Sequence, residues 1–425
     1  MADLPDRRRK KDRKHHRKGA SNHASSNGMD EEFDSNDDNY SVVSEADSVD
    51  SQFALEDIDE GVDYMEDFEG KLKENIEGCR QKGSNGRQAS LLEVQKALRR
   101  RYAGEFLTDR VETMIDILEK LMKRGTGRDR VLGSAVACLF CLQVGEDDST
   151  KLFDALKPIL LTLINDDTVS PDERAAACTA LGTSCIIADV EMEDMIECLN
   201  TLKTAFSKKI LNNDQFHSAF ANALTAWCLI LSVADDSIAC EQIQNCMGVL
   251  CKLLELGSLN LRIAAGEAAA LVYELAYNNR MSLQGPVNTL HNLLQEFANE
   301  SGRHKGKREK KQQKSSFRDI LKSVKSNIPP EQTIKFGPEF IEIGSWSWLL
   351  RYRAFKDALG PGTNIHLQTN PFVRETFDLG LPLPKELKES KVSKYEKQLV
   401  NSASSKVRTQ KRNQRRDHKH KASGL

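Results

Sequence analysis

Two cysteines and three histidines are the residues whose types could support metal binding or catalysis. Cys138 and Cys141 form a C-x-x-C pair, but no second pair follows at zinc-finger spacing and no histidine lies close in the sequence. Three positions apart on an Ala-rich helix, the two cysteines are expected to fill the core. His217, His291 and His366 are each solitary, and we interpret them as structural. The sequence therefore predicts no catalytic residue, no metal site and no cofactor.

Two tryptophans could bind a ligand in another way, by stacking on nucleic-acid bases. Residues two apart on a helix point about 200° from each other, so Trp346 and Trp348 cannot form one platform. We expect at least one in the core and interpret both as structural. The sequence has no P-loop, dinucleotide-binding or nucleophile-elbow motif. It predicts a protein that is not an enzyme and has no small-molecule substrate.

The C-terminal tail, residues 405–421, has a composition suited to binding a polyanion. Eight of its seventeen residues are Lys or Arg, and one is Asp. Tyr395, Leu399 and Val407 recur at helical spacing, so we expect a helical stem whose apolar stripe docks on the preceding domain. Beyond Val407 the cations occupy most of the helical circumference. The predicted RNA-binding residues are Lys406, Arg408, Lys411, Arg412, Arg415, Arg416 and Lys419.

The composition of the tail also distinguishes among its possible ligands. A membrane-surface helix needs an apolar face, which the tail lacks. A helix with so many like charges is unstable alone, and we expect it to order where phosphates surround it, as in a groove of folded RNA. The alternative is a solvated tail that only keeps the protein soluble. Such a tail would not need a docked stem, so the pattern favours the RNA-binding arm.

The N-terminal region, residues 1–85, is predicted to be disordered. It is polar and has few large apolar residues with which to offset the entropy of ordering. Its charge is segregated, because residues 7–18 contain nine Lys or Arg and residues 30–69 contain seventeen Asp or Glu without a single Lys or Arg. Blocks of like charge are typical of interaction segments.

Two features within this region could carry regulation. The basic block 7–14 fits a nuclear-import signal or a weak nucleic-acid arm, and equally a solvated tail. Ser35 and Ser44 each precede an Asp by three residues, a spacing that acid-directed kinases favour. A phosphate would add about −1.5 to −2 charge at either serine. We treat both as candidate phosphorylation sites.

Residues 86–299 contain two interleaved series of helices that share one period. Helices rich in Leu and Ile alternate with helices rich in Ala, Gly, Ser and Cys, and corresponding leucines recur every 42–48 residues. Two helices per unit at this period are typical of HEAT and armadillo repeats. The sequence therefore predicts an all-α fold, an armadillo/HEAT-like α-solenoid of four or five units. The leucines are Leu118, Leu160, Leu202, Leu250 and Leu293 in the first series and Leu139, Leu181, Leu224 and Leu271 in the second.

The chain after residue 299 is predicted to form three segments. Residues 300–316 are a basic linker, residues 317–383 a small and mostly helical C-terminal domain, and residues 384–425 the helical stem and basic tail. The proline-rich stretch 327–344 is expected to run mostly irregular or extended. After it, Ser345 can cap a helix that a Gly-Pro-Gly stops at 360–362, and Asn370 can cap a short helix.

Several of these stretches resemble one known family. "NLRIAAGEAAALVYELA", "FRDILKSV", "ALGPGTNIHLQTN" and "SKYEKQLVNSASSKVRTQ" are similar, in the same order, to the interferon-related developmental regulator family over about residues 85–420. The acidic N-terminal region lies outside the resemblance. The ending "DHKHKASGL" also departs from it, because a further Lys/Arg-rich run is expected there.

The resemblance implies an armadillo-type protein without enzymatic activity. The family is associated with transcriptional co-regulation during differentiation, and some members with binding to translationally inactive ribosomes. Its basic C-terminal helix corresponds here to Lys406 through Arg416, and the family supplies no catalytic residues.

Two functions are therefore open. We favour a regulator that binds ribosomal RNA through its tail and restrains translation, and the alternative is a nuclear co-regulator whose solenoid holds protein partners, transcriptional co-repressors among them. All ten cysteines lie between Cys79 and Cys251, and no secretory signal or apolar run of 18 residues is present. The expected location is cytoplasmic and nuclear, without a membrane partner.

Overall fold

The computed structural model describes residues 62–207, 214–255, 258–299 and 307–383. Over these ranges the chain forms seventeen α-helices and one β-hairpin. Among the described helices, none is both long and apolar enough to cross a bilayer.

Thirteen helices form six successive pairs, one of which has two short helices in its first position, and one extra short helix follows the first pair. The first three pairs are α1 (Val62–Gly78) with α2 (Ser84–Arg100), α4 (Val111–Arg124) with α5 (Gly127–Val144), and α6 (Glu146–Asn165) with α7 (Pro171–Ile187). The fourth pair is α8 (Met192–Ser207) with α9 (His217–Leu231), and in the fifth, α10 (Asp236–Ile243) and α11 (Met247–Glu255) together pair with α12 (Leu259–Asn278). The sixth pair is α13 (Val287–Asn299) with α14 (Lys307–Ser326). The short helix is α3 (Gly104–Thr108).

The second helices of the pairs pack on one another in sequence order. Helix α2 contacts α5, and the series continues through α7, α9 and α12 to α14. On the other side of the fold, α4 contacts α6, α6 contacts α8, and α11 contacts α13. All nine leucines that defined the period are at least partly buried, and eight of them are fully buried. The predicted α-solenoid is confirmed, but the described residues form six pairs of helices where four or five units were predicted.

Small residues allow the second helices to approach closely, as the composition predicted. Gly182 on α7 faces Ala226 on α9, and a Cβ placed on Gly182 would lie 2.7 Å from the Ala226 Cβ and 3.0 Å from its Cα. No side chain larger than a hydrogen fits there unless the two backbones separate. The Ala- and Gly-rich composition thus sets the spacing between neighbouring units.

Charged side chains link the N-terminal ends of successive second helices. Helices α5 and α7 both begin with capping boxes, Thr126 with Asp129 and Ser170 with Glu173. Arg87 on α2 donates to Asp129 (2.5 Å), and Arg130 on α5 donates to Glu173 (2.9 Å). Burial raises the pKa of the Asp129 carboxyl, but hydrogen bonds led by that from Arg87 outweigh it and lower the pKa to about 2.

The predicted disorder of residues 1–85 is wrong for residues 62–85, which contain α1 and the start of α2. Leu72 and Ile76 are buried, and Phe68 packs against the same core. These apolar residues are few but fall four apart, on one face that packs against α2. The sequence interpretation relied on average polarity, which conceals a narrow stripe of this kind.

The predicted linker, 300–316, also proves partly structured. Helix α14 begins at Lys307 and packs on α12 and α13 through Phe317, Ile320 and Val324, all buried. Residues 307–326 therefore complete the sixth pair, and the C-terminal domain begins after them rather than at residue 317. This helix was not counted among the predicted repeats because its sequence is Lys-rich, whereas the other second helices are Ala-rich.

The C-terminal domain consists of a hairpin and three helices. Strands β1 (Gln332–Phe336) and β2 (Glu339–Ile343) pair antiparallel, and Gly337 takes a positive φ of 52° in the turn. The stretch predicted as irregular or extended thus forms the hairpin. Helix α15 (Trp346–Leu359) follows, then a 3-10 turn at Gly360–Gly362 where the sequence predicted a stop, and then α16 (Thr363–Thr369) and α17 (Pro371–Thr376).

A glycine exchange tests the close approach of the second helices. Alanine usually stabilises a helix interior by about 0.5–1 kcal/mol relative to glycine, and Gly248→Ala in the first turn of α11 should be neutral or stabilising by no more than this, because nothing lies within 4 Å of its added Cβ. Gly182→Ala should instead destabilise the protein by about 1–3 kcal/mol, because its Cβ meets the backbone of α9. Denaturant unfolding of both variants measures the difference. If Gly182→Ala is as stable as Gly248→Ala, α7 and α9 do not pack as described.

Candidate functional site

Helix α15 of the C-terminal domain lies along the face formed by the second helices. It contacts α12 and α9 in the later pairs and α5 and α2 in the earlier ones. The C-terminal domain is therefore docked against most of the solenoid, and the residues that dock it define the candidate functional site.

The N-terminal end of α15 is held by a glutamate from the solenoid. The Glu274 carboxylate on α12 accepts from the Trp346 backbone N–H (2.6 Å) and from the Ser347 backbone N–H (3.0 Å) and hydroxyl (2.8 Å). Ser345 caps the same turn as predicted, accepting from the Trp348 N–H (3.1 Å). Free N–H groups at a helix start favour a negative charge, which Glu274 supplies from 72 residues away.

The C-terminal end of α15 is held by an arginine from the opposite end of the solenoid. Arg99 on α2 donates its Nε–H to the Ala358 carbonyl (2.8 Å), one of the last carbonyls of α15. The chain then passes so close to α2 that a Cβ on Gly362 would lie 1.6 Å from the Arg99 carbonyl oxygen. Only glycine fits at that position. A cation at this end again matches the helix dipole.

Two buried side chains of the C-terminal domain form hydrogen bonds with backbone carbonyls of the solenoid. The His366 Nε2 lies 3.0 Å from the Leu98 carbonyl near the end of α2, and Asn370 donates to the Leu142 carbonyl near the end of α5 (2.6 Å). Asn370 also donates to the His366 Nδ1 (3.3 Å), so the neutral tautomer with its proton on Nε2 satisfies both nitrogens. Burial lowers the pKa of His366 to about 4. The same Asn370 caps α17, as predicted, through its Oδ1 and the Val373 N–H.

Arg374 on α17 fixes the chain where it leaves the described fold. Its guanidinium is fully buried and donates to both carboxylate oxygens of Glu339 on β2, at 2.7 and 2.9 Å. It also donates to the carbonyls of Leu367, Leu379, Gly380 and Leu381 at 2.8–3.1 Å. One side chain thus ties α16, the hairpin and the segment that precedes the stem and tail. A buried guanidinium with this many charge-assisted bonds holds a single geometry.

The tryptophans are structural, as interpreted from the sequence. Trp346 is buried and donates its indole N–H to the Ser323 hydroxyl on α14 (2.8 Å). Trp348 packs edge-on against Phe377 with ring centroids 6.2 Å apart.

The other residues considered for chemistry also lie inside the fold. Cys138 and Cys141 are buried on α5, and burial raises their pKa values to about 11 and 12, which keeps both thiols protonated. His217 is buried at the start of α9. His291 lies 3.0 Å from the Tyr273 hydroxyl, and burial lowers its pKa. Core filling explains the C-x-x-C pair.

The predicted RNA-binding, docking and phosphorylation residues lie outside the described ranges. These are Lys406, Arg408, Lys411, Arg412, Arg415, Arg416 and Lys419 in the tail, Tyr395, Leu399 and Val407 in the stem, and Ser35 and Ser44 near the N-terminus.

The charged residues that dock the C-terminal domain, Glu274, Arg99 and Arg374, were not predicted from the sequence. A weak signal existed for Glu274, which is a lone acid in the apolar run "ALVYELA". Nothing marked Arg99 within "LRRRY", because its partner lies 259 residues later. Partners this distant cannot be read from local patterns.

These contacts define a class of protein, an α-solenoid whose second-helix face is covered by its own C-terminal domain. The chain belongs to the interferon-related developmental regulator family. That family's sequence profile matches residues 38–325, and the profile of an interferon-related protein conserved region matches residues 370–420.

Individual relatives agree with this assignment. Interferon-related developmental regulator 2 of Mus musculus is 35% identical over 83% of each chain. Interferon-related developmental regulator 1 of Homo sapiens is 33% identical over 83% of this chain and 81% of the relative. Among solved structures, a designed armadillo repeat protein covers 59% of this chain with a TM-score of 0.39 and 16% identity. At that similarity the fold assignment rests on the helix packing described above.

The His366 contacts predict how acid affects stability. Because the folded-state pKa lies below the ordinary value of about 6.5, the neutral histidine stabilises the fold fully above pH 6.5. This contribution is lost as the pH falls from about 6.5 towards 4, since the unfolded chain binds the proton first. At pH 5 the loss should be about 2 kcal/mol.

His366→Gln removes the titrating group and keeps an amide that can donate. Urea unfolding at pH 7.5 and pH 5 should therefore show a loss of stability on acidification that is about 2 kcal/mol smaller in the variant than in the parent protein. Equal losses in the two proteins would mean that His366 is not buried against α2.

Proposed function

We propose that this protein is a non-enzymatic regulator of gene expression that binds ribosomal RNA through its basic tail and thereby restrains translation. The observation that supports this most is the Arg374 anchor, which fixes residues 379–381 just before the stem and tail begin. A tail whose base is held in one geometry can be aimed at a partner, which a solubility tag would not require.

The charge of the tail selects the ligand. Seven Lys and Arg between residues 406 and 419 stand against one acid, Asp417. Cations at this density release counterions when they neutralise phosphates, which gives strong and salt-dependent affinity for RNA. The stem residues Tyr395, Leu399 and Val407 are proposed to dock behind the tail and carry the orientation set at Arg374 outward.

In this proposal, the charged residues of the docking site hold the C-terminal domain in place. Glu274 and Arg99 hold the two ends of α15, and Arg374 holds the base of the tail. Because the C-terminal domain is docked on the solenoid, we propose that it fixes the direction in which the stem and tail extend from the solenoid. In a cell, we place this activity in the cytoplasm, with access to the nucleus through the basic block 7–14.

A second function, as a nuclear co-regulator that scaffolds protein partners, is favoured by a different observation. A trough of about 820 Å³ lies between α6 and α8 on the first-helix side of the solenoid. Asp154, Asp194 and Glu197 line it, and Lys157 is held by two of these carboxylates (2.5 and 2.6 Å). Such a trough suits a basic segment of a chromatin or co-repressor protein. Crosslinking distinguishes the two functions, because RNA adducts at 405–421 support the first and a chromatin interactome supports the second.

The number of cations in the tail leads us to expect a specific salt dependence of RNA binding. If about six phosphates are neutralised, the slope of log affinity against log salt should be about −4 to −5. Replacing Arg412, Arg415 and Arg416 with Ala should make that slope shallower by about two to three units. Replacing Tyr395 and Leu399 with Ala should lower affinity at nearly unchanged slope, because the tail keeps its charge and loses its aim.

Charge reversal provides the cellular form of the same test. Arg415→Glu with Arg416→Glu should move the protein from ribosomal fractions to the top of a sucrose gradient while far-UV circular dichroism stays unchanged. Continued co-sedimentation of that variant would remove the tail from the proposal and favour the scaffold function.

A further inference from the structure

Helix α14 carries a line of cations that the sequence prediction divided between the linker, 300–316, and the C-terminal domain, 317–383. Arg318, Lys322 and Lys325 follow one another at spacings of four and three residues and are all exposed. The same spacing continues towards the start of the helix at positions 307, 311 and 314, each of which is a lysine. The two acids of α14, Glu309 and Asp319, fall off this line. We call positions 307, 311, 314, 318, 322 and 325 the α14 stripe.

The stripe lies within about 80° of helical arc and extends about 27 Å along the axis. Among the described residues, neither Arg318 nor Lys322 forms an ion pair, although both charges act on the nearby Asp319 carboxyl, and Lys325 donates to the neutral side chain of Gln295 (2.6 Å). Each of these cations can therefore neutralise an external anion without first breaking an ion pair.

The opposite face of α14 is already used by the fold. Phe317 and Ile320 are fully buried and Val324 nearly so, and Phe317 packs against Phe297 with ring centroids 5.2 Å apart. A helix that binds a membrane surface inserts its apolar face, which here is unavailable. The stripe must therefore act through charge alone.

The composition of the stripe favours a nucleic-acid backbone over a protein partner. Protein interfaces have an apolar centre and are depleted of lysine, whereas six cations in a row provide no such centre. A line of cations on a straight helix suits a chain of phosphates, whose recognition needs charge and little else.

The stripe and the last described residues of the chain both lie next to α15. Helix α14 meets the start of α15, where Trp346 bonds to Ser323. The described chain also ends near this helix, because Phe377 packs edge-on against Trp348 in the first turn of α15, with ring centroids 6.2 Å apart. The stem and tail follow after residue 383. Two cationic segments of one chain can engage one polyanion together, which raises the apparent affinity.

We propose that the α14 stripe is a second RNA-binding surface, which contacts the sugar-phosphate backbone without reading base sequence and acts together with the tail. The choice of RNA as the ligand rests on the proposed function. The stripe itself rests on the exposed residues of α14, so the two proposals can fail separately.

The test compares two charge-matched triple variants of the full chain. Arg318→Gln, Lys322→Gln and Lys325→Gln remove three cations of the stripe. The control, Lys120→Gln, Arg124→Gln and Arg128→Gln, removes three exposed cations from the second pair of the solenoid. Affinity for a structured RNA hairpin is measured from low to high salt for both variants and for the parent protein, with circular dichroism to verify folding. Phosphatidylserine–phosphatidylcholine vesicles serve as a second, anionic probe.

The stripe variant should bind RNA with a salt slope shallower by about two units, and the control should match the parent protein. A slope equal to that of the parent in a folded stripe variant would overturn the inference. So would a loss confined to vesicle binding, which would make the stripe a membrane contact. If the tail arginines prove dispensable while the stripe variant loses its slope, the inference stands and the tail proposal fails.

Discussion

The two charged contacts at the ends of α15 fix the position of the C-terminal domain on the solenoid. Glu274 from the fifth pair neutralises the start of this helix, and Arg99 from the first pair neutralises its end. Each charge matches the helix dipole, and in a half-buried setting such a contact is worth up to about 2 kcal/mol. Because the partners belong to pairs far apart along the solenoid, α15 fits only when the stack between α2 and α12 has its native length and curvature. Small residues such as Gly182 set the spacing between neighbouring pairs, and the C-terminal domain can dock only at that spacing.

Docking of the C-terminal domain determines which surfaces remain for partners. Helix α15 covers part of the face formed by the second helices, and His366 and Asn370 occupy the carbonyls at the ends of α2 and α5. The exposed surfaces of interest are then the cationic face of α14, the acidic trough between α6 and α8, and the segment that leaves the fold beside Arg374.

Much of this fold could be predicted from the sequence because repetition makes local signals mutually consistent. Leu118, Leu160 and their counterparts share one period, and no single weak helix signal had to be trusted alone. One helix of the first pair and part of one helix of the last pair were not predicted, because α1 is acidic and α14 begins in a Lys-rich stretch, so their sequences were interpreted as a disordered segment and a linker. The docking contacts escaped for a different reason, since Arg99 and Ala358 are joined only by the completed fold. Caps such as Ser345 and Asn370 were predictable because their donors lie three residues away.

The contacts of α15 with α2, α5, α9 and α12 join the C-terminal domain and the solenoid into one body. Native-state hydrogen exchange measured across a denaturant series tests this most directly, because it reports the free energy of opening for each helix separately. Amides of α15 should exchange with the same opening free energy as those of α5 and α12. If α15, α16 and α17 instead open together at a distinctly lower free energy while α5 and α12 stay protected, the C-terminal domain is a separate, loosely held unit and is not part of one body with the solenoid.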